Sequence, residues 1–164
     1  MYLTKDEFVL KIFYHHYTPF FVDVFKLILL TVPFYFILYL LKDTLSFKAV
    51  FIFHLVLLFL FVSVLIYLTL IYWLDRLVIT NKRIIFIDWK YLTVKVVTEV
   101  EYLDIIDIEV INNGIFSKFG FLNFGKINFL TSTSKVAISF PQAPDPIKMR
   151  NYIQSLTDLT KSNK

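Results

Sequence analysis

Residues 49–88 read AVFIFHLVLLFLFVSVLIYLTLIYWLDRLVITNKRIIFID. The first twenty-six of them, Ala49 to Leu74, contain no Asp, Glu, Lys or Arg. At about 1.5 Å per helical residue they reach roughly 39 Å, enough to cross a hydrocarbon core of about 30 Å. Tyr72 and Trp73 close the stretch with the amphipathic aromatics that favour the headgroup level, and Asp75 and Arg76 follow at once. From Leu77 the apolar period changes from helical to alternating with no linker between. The reading is a transmembrane helix joined directly to a β-rich domain on the bilayer surface.

Composition agrees. A chain of 164 residues that is 57% hydrophobic and 19% aromatic is too apolar for an ordinary soluble domain, so part of it is expected in lipid. The formal charge of +4 comes from Lys and Arg scattered among acidic neighbours, and no basic run exceeds Lys82-Arg83. Such dispersed charge suits anionic headgroups rather than nucleic acid, and membrane lipids are the expected partners. The absence of Cys excludes disulfides, thiolate metal sites and a Cys nucleophile. The opening MYLTKDEFVLKIF lacks the charged-then-apolar order of a cleaved signal peptide and is kept in the mature chain.

Residues 1–18 predict a juxtamembrane amphipathic helix, lying in the interface or against the β domain, in which Thr4 and Glu7 have capping-box spacing and Phe8, Val9, Ile12 and Phe13 share a stripe. The tandem His15-His16 is not expected to bind metal, because adjacent helical side chains diverge by about 100°. A two-helix transmembrane hairpin is expected over 19–74. Thr18-Pro19 starts its first span, which runs to Leu41 with Pro33 inside, and residues 42–48 form a tight turn. Its intramembrane polar residues are Asp23, Lys26 and His54. Asp23 and Lys26 are spaced to pair on one face, and antiparallel spans place Tyr35 or Tyr39 near His54 and Tyr67 near Asp23. Lys42 and Lys48 flank the turn, whereas Lys5, Lys11, Arg76, Lys82, Arg83 and Lys90 lie on the terminal side. The positive-inside rule then makes both termini cytoplasmic, in a multi-pass protein of the inner membrane.

From 75 to 164 strands are expected at 77–80, 83–88, 94–101, 104–112, 126–131 and 135–140, with turns at Asn81-Lys82, Asn113-Gly114 and Ser132 to Ser134. Within 104–112, Ile106, Ile108 and Val110 are assigned to one face and Asp107 and Glu109 to the other. Asp145 and Pro146 start a helix to about Thr160, with Met149, Tyr152, Ile153, Leu156 and Leu159 as its apolar stripe. The fold class is therefore a membrane protein: an α-helical transmembrane hairpin plus a mainly-β barrel or sandwich closed by a C-terminal helix.

At this point the chain resembles the membrane-anchored bacterial pleckstrin-homology-like (PH-like) proteins, two spans followed by a PH-type domain. The marks are the opening with Glu7, Val9, Leu10 and His15, then LVITNKRI, EYLDIIDIEV, FGFLNFGKINF and PQAPDPIKMRNYI in that order. The resemblance implies a bent barrel of about seven antiparallel strands closed by a helix, and no enzyme. The residues agree, since there is no nucleotide-binding glycine loop, no Ser/His/Asp set and no paired carboxylates in a plausible cleft. No cofactor is expected.

Three function classes stay open: a non-enzymatic binding or scaffolding module for a protein partner or a homo-oligomer, a domain recognising anionic lipid headgroups, and an accessory subunit of a transporter or enzyme complex. Because the first strand of the domain starts at the bilayer and climbs away, the basic turn with Lys82 and Arg83 should face the cytosol, solvated or toward a partner. The second strand then returns Trp89, Lys90 and Tyr91 to headgroup level. By the same parity Phe116, Lys118, Phe119, Phe121 and Phe124 approach the membrane or a partner, or else plug the barrel.

Overall fold

The computed structural model describes residues 4–112, 122–132 and 136–162. Its first elements are strand β1 (Val9–Tyr14), helices α1 (Tyr17–Leu41) and α2 (Phe47–Leu74), and strands β2 (Arg76–Thr80), β3 (Arg83–Tyr91) and β4 (Val94–Glu101). A 3₁₀ turn (Tyr102–Asp104), strands β5 (Ile105–Asn112), β6 (Phe124–Thr131) and β7 (Ile138–Pro144), and helix α3 (Pro146–Ser162) complete the order. The chain forms two units, one made of Met1–His16 with Trp73–Lys164 and the other of Tyr17–Tyr72.

The second unit holds the two helices, each long and apolar enough to cross a membrane by length and composition. Leu38 is the one buried residue of α1 among those described, and α2 has none. Asp23 and Lys26 pair at 2.9 Å, as their spacing predicts. The Tyr35 ring centroid lies 5.7 Å from that of His54, one of the neighbours expected of an antiparallel hairpin. His54 also donates through Nδ1 to the Val50 carbonyl at 2.8 Å, an i−4 bond within its own helix.

The first unit is two antiparallel sheets and a helix. One sheet has the order β1-β2-β3-β4 and the other β5-β6-β7. Alternation along the strands turns Leu77, Ile79, Ile84, Phe86 and Val100 of the first sheet inward, against Ile105, Ile108, Ile127, Phe129, Ile138 and Phe140 of the second. Met149 and Ile153 of α3 and the Tyr102 ring complete this core, and the buried Tyr102 hydroxyl donates to the Thr80 carbonyl at 2.6 Å. On its other face the first sheet carries a smaller cluster, Val78, Ile85 and Ile87, with Trp89 packed against it.

Three expectations are corrected here. The helix expected over residues 1–18 is a strand: β1 pairs with β2 through Ile12↔Val78, Phe13↔Leu77 and Tyr14↔Arg76. Pairing overrides the helical stripe because a strand satisfies the N–H and C=O groups along the β2 edge, which an interfacial helix would leave open. Phe13 turns toward the core, while Phe8, Leu10, Ile12 and Tyr14 are exposed. Second, Ile106 is 67% exposed, and Ile105 takes the core position. The ladder of β5 with β6 shifts between Ile105 and Asp107, a bulge that reverses the alternation at its start. Third, Leu159 of α3 is exposed and Thr157 is buried in the stripe, its hydroxyl donating to the Ile153 carbonyl at 3.0 Å.

Strand β7 begins three residues later than expected and runs on through Pro144. Asp145 precedes α3 as anticipated, but with φ 42° and its carboxylate bonded to the Asn123 amide. The Asn113-Gly114 turn and the centre of the expected turn at Ser132 to Ser134 lie outside the described residues.

Candidate binding surface at the two ends of the four-stranded sheet

The turn between β2 and β3 marks one end of the first sheet, and a buried carboxylate organises it. Glu7, its side chain 0% exposed, accepts hydrogen bonds from Thr4 N at 2.8 Å, Thr4 Oγ1 at 2.9 Å and Thr80 Oγ1 at 2.9 Å. Arg83 adds Nε at 2.9 Å and Nη2 at 3.0 Å in a bidentate fork. Burial alone would raise the Glu7 carboxyl; the bonds from Arg83, Thr4 and Thr80 outweigh it and hold the group at about 2. Glu99 grips the same guanidinium from β4.

The Asn81 side chain completes the clamp by accepting from Phe8 N and donating to the Asp6 carbonyl, both at 3.0 Å. Asp6 takes φ 65°, an αL turn that Asp tolerates, to deliver the chain into β1. Here too an expectation is corrected. Arg83 is not a solvated cation but the bridge between Glu7 and Glu99, and Lys82, though exposed, donates to the Lys5 carbonyl at 2.7 Å. Thr4 and Glu7 do form half of a capping box, the bond from Thr4 N to the Glu7 carboxylate, but it closes a turn and not a helix.

The opposite end of the sheet is where β1 runs out and β2 begins. His15 lies 2.7 Å through Nδ1 from the Pro141 carbonyl, stacks on Phe140 at 4.8 Å, and turns Nε2 to Asp75 Oδ2 at 3.6 Å. Asp75 accepts from Trp89 N at 2.7 Å through its other oxygen, which ties the one residue between α2 and β2 to β3. Asp88 is adjacent; burial and then the Asp75 charge raise its carboxyl, against the pull of Lys90 and His15. His16 stacks on Phe124 at 5.5 Å, and burial lowers its imidazole despite Asp145. The tandem histidines are thus packed and hydrogen-bonded in the domain, and among the described residues no group of three His, Cys, Asp or Glu could hold a metal ion.

Past this junction the β3–β4 hairpin extends with an apolar, basic tip. Trp89 is half-buried, Lys90 is exposed, and Tyr91, Leu92, Val94, Val96 and Val97 are exposed large apolar side chains. Lys95 Nζ sits 5.9 Å from the Trp89 ring centroid. Of the residues singled out in the sequence, Trp89, Lys90 and Tyr91 therefore cluster here, while Lys82 and Arg83 lie at the other end of β3. Phe116, Lys118, Phe119 and Phe121 lie outside the described residues. Sequence reasoning missed the roles of Glu7, Asp75, Asp88 and Glu99, whose partners come from other strands. The one available signal was Thr4-Glu7 spacing, which identified a bonded pair in the wrong element.

Comparison with protein families matches residues 37–154 to the family described as Bacterial PH domain. Among curated proteins no match is found. Solved structures similar to this chain include a DUF1696 family protein with a pleckstrin-homology domain from Shewanella loihica PV-4. It is 23% identical with a TM-score of 0.40, over 51% of this chain and 70% of the other. A pleckstrin homology domain from Shewanella amazonensis SB2B is 18% identical with a TM-score of 0.41, over 51% of this chain and 66% of the other.

Proposed function

The chain belongs to the bacterial PH domain family, and from that premise we propose that it is a non-enzymatic binding module, anchored in the cytoplasmic membrane by α1 and α2, whose domain holds a protein partner or a second copy at the cytoplasmic face. The observation that carries this reading is the insertion of the helical pair between β1 and β2, two neighbouring strands of one sheet. The helical pair thus leaves and re-enters the domain within one sheet, which suits a domain built around its anchor.

Burial supports lipid as the environment of the helices. Apolar helices of the core of a soluble protein would be covered, whereas Phe21, Phe25, Phe51, Phe59 and Leu60 are all more than half exposed. The excess of Lys and Arg on the terminal side supports the cytoplasmic orientation. At the two sheet ends Glu7, Arg83, Glu99 and Asp75 are engaged in holding strands together, which suits a structural role for these four groups.

Two measurements test the proposal. Because the chain has no Cys, Ser46→Cys and Ser162→Cys report sidedness: labelling of intact cells should reach position 46 only, and external labelling of position 162 would overturn the orientation. Native mass spectrometry after mild-detergent extraction should show a stoichiometric second protein or second copy. Retention of anionic lipid alone would instead favour headgroup recognition.

A further inference from the structure

Strands β1 and β7 are outer strands of the two sheets. They are joined where His16 N donates to the Gln142 carbonyl at 2.8 Å and His15 Nδ1 lies 2.7 Å from the Pro141 carbonyl. Away from that joint they part. A cleft of about 210 Å³ lies between Lys11 and Phe13 on β1, Pro144 at the end of β7, and Asp145, Lys148 and Tyr152 at the start of α3. All of these residues belong to the first unit. We propose that this cleft docks an acidic, extended segment of a partner protein, which adds a strand to the free edge of β1. The inference deepens the partner-binding reading above and rests on it.

The backbone comes first. Strand β1 pairs with β2 on one side only among the described strands. Alternate N–H and C=O groups of such a strand point away from its partner and are open to an added one. The bond from His16 to Gln142 shows this edge turned toward β7, so over Lys11 to Phe13 the same edge lines the cleft.

Size and charge choose the occupant. Sites for free small molecules and cofactors usually hold about 300–1,000 Å³, and this cleft is smaller, which suits side chains entering from a strand that runs past. Lys11 is exposed, with Nζ 4.8 Å from the Phe13 ring centroid and 5.2 Å from that of Tyr152, so the two rings hold the ammonium beside the cleft. Among the described residues no ion pair neutralises it. Lys148, its side chain 83% exposed, is a second cation. The acid of the lining, Asp145, is already engaged by the Asn123 amide and by Lys148 at 3.5 Å. An Asp or Glu of the added strand supplies the acceptor that Lys11 lacks. Because alternate residues of a strand share a face, an apolar residue two positions away then meets Phe13 and Tyr152.

The test uses the full chain in mild detergent, with a phage-displayed library of random dodecapeptides as the probe. Selection should enrich sequences with Asp or Glu two positions from an apolar residue. A synthetic copy of the commonest should bind Lys11→Glu about tenfold more weakly than the wild type, and Lys42→Glu, in the turn between the helices, like the wild type. Lys11→Gln, which adds no charge, should weaken binding about threefold and serves if Lys11→Glu loses its cooperative melt. N-methylation of one alternate set of peptide amides should weaken binding about tenfold, because it removes ladder bonds that side-chain docking alone does not need.

No enrichment over detergent micelles overturns the site, as does a peptide that Lys11→Glu binds as tightly as the wild type or one indifferent to N-methylation in both sets. Protection of Lys11 from amine labelling in the peptide-free chain means that a second copy already covers the cleft, and also overturns it. In native mass spectrometry, a second protein that Lys11→Glu retains leaves the partner-binding reading standing and overturns this site. A wild type that holds neither a second protein nor a second copy removes that reading, and the site falls with it.

Discussion

Glu7 shows how much a single side chain can decide. Between about 2, where its carboxyl is held, and the ordinary value near 4.5, the folded state binds fewer protons than the unfolded one. Its contribution is therefore complete above about pH 4.5 and is lost as the pH falls through about 2. The gap corresponds to roughly 3 kcal/mol for this buried group. Glu7→Gln should cost about 3 kcal/mol at pH 7, because it strips the Arg83 guanidinium of its bidentate acceptor while the neighbouring carboxylate of Glu99 remains. Thermal unfolding of the purified protein should also show the wild type losing part of its stability between pH 4.5 and 2.5 and Glu7→Gln losing less. A variant as acid-sensitive as the wild type would show that the clamp does not carry the effect. That Thr4 and Glu7 touch was legible from their spacing. That they close a turn onto β2 was not, because Thr80 and Arg83 are remote in sequence and spacing carries no information about them.

At the scale of the element, β5 and β6 show where alternation succeeds and where it fails. The strand at 105–112 was readable, but its inward face was not, since one extra residue opposite Thr131 and Leu130 shifts the parity at its beginning. Ile108 and Val110 lie beyond the bulge and keep the inward face that alternation assigns them. Ile106→Ser should accordingly change stability by no more than about 0.5 kcal/mol, as exposed substitutions do, whereas Ile105→Ala should cost about 2–4 kcal/mol through the cavity it leaves. The pair, measured by denaturant unfolding, distinguishes the bulged register from simple alternation. On β6 the constraint is space. A Cβ on Gly125 would meet the Ile111 carbonyl oxygen at 2.5 Å, Asn112 Oδ1 at 2.9 Å and Pro146 Cγ at 3.1 Å. Backbone on one side and a helix-starting proline on the other leave little room to yield. Gly125→Ala should thus destabilise by about 2 kcal/mol or more despite its small size, an overpacking cost rather than a lost contact. The turn signals at Asn81-Lys82 and Asp145-Pro146 were legible because local backbone preference sets them.

For the molecule as a whole, the apolar helices and six of the seven strands among the described residues were legible, because each is a local pattern of one period. The seventh strand was hidden in residues that also satisfy a helical stripe, and its partner lies beyond the entire helical pair. Once β1 is in place the sheet has four strands, and the helices become an insertion between β1 and β2 rather than a segment preceding the domain. This makes the domain discontinuous in sequence and yields its most direct test. A chain lacking residues 17–72, with His16 joined to Trp73 by a short Gly-Ser linker, keeps every β1–β2 pair, the Glu7 clamp and the Phe13 contact with the core. It should fold to a soluble domain with a dispersed amide spectrum and cooperative unfolding. Residues 73–164 alone should not. Without β1 the β2 edge exposes unpaired N–H and C=O groups, Arg83 loses its buried carboxylate, and the core is open where Phe13 packs. Together these losses rival the roughly 5–15 kcal/mol that hold an ordinary domain together. If residues 73–164 fold with the same midpoint as the linked chain, β1 is an accessory to the domain and the first unit ends at β2. If only the linked chain folds, the residues before α1 belong to the domain, and both helices enter and leave it through one pair of neighbouring strands.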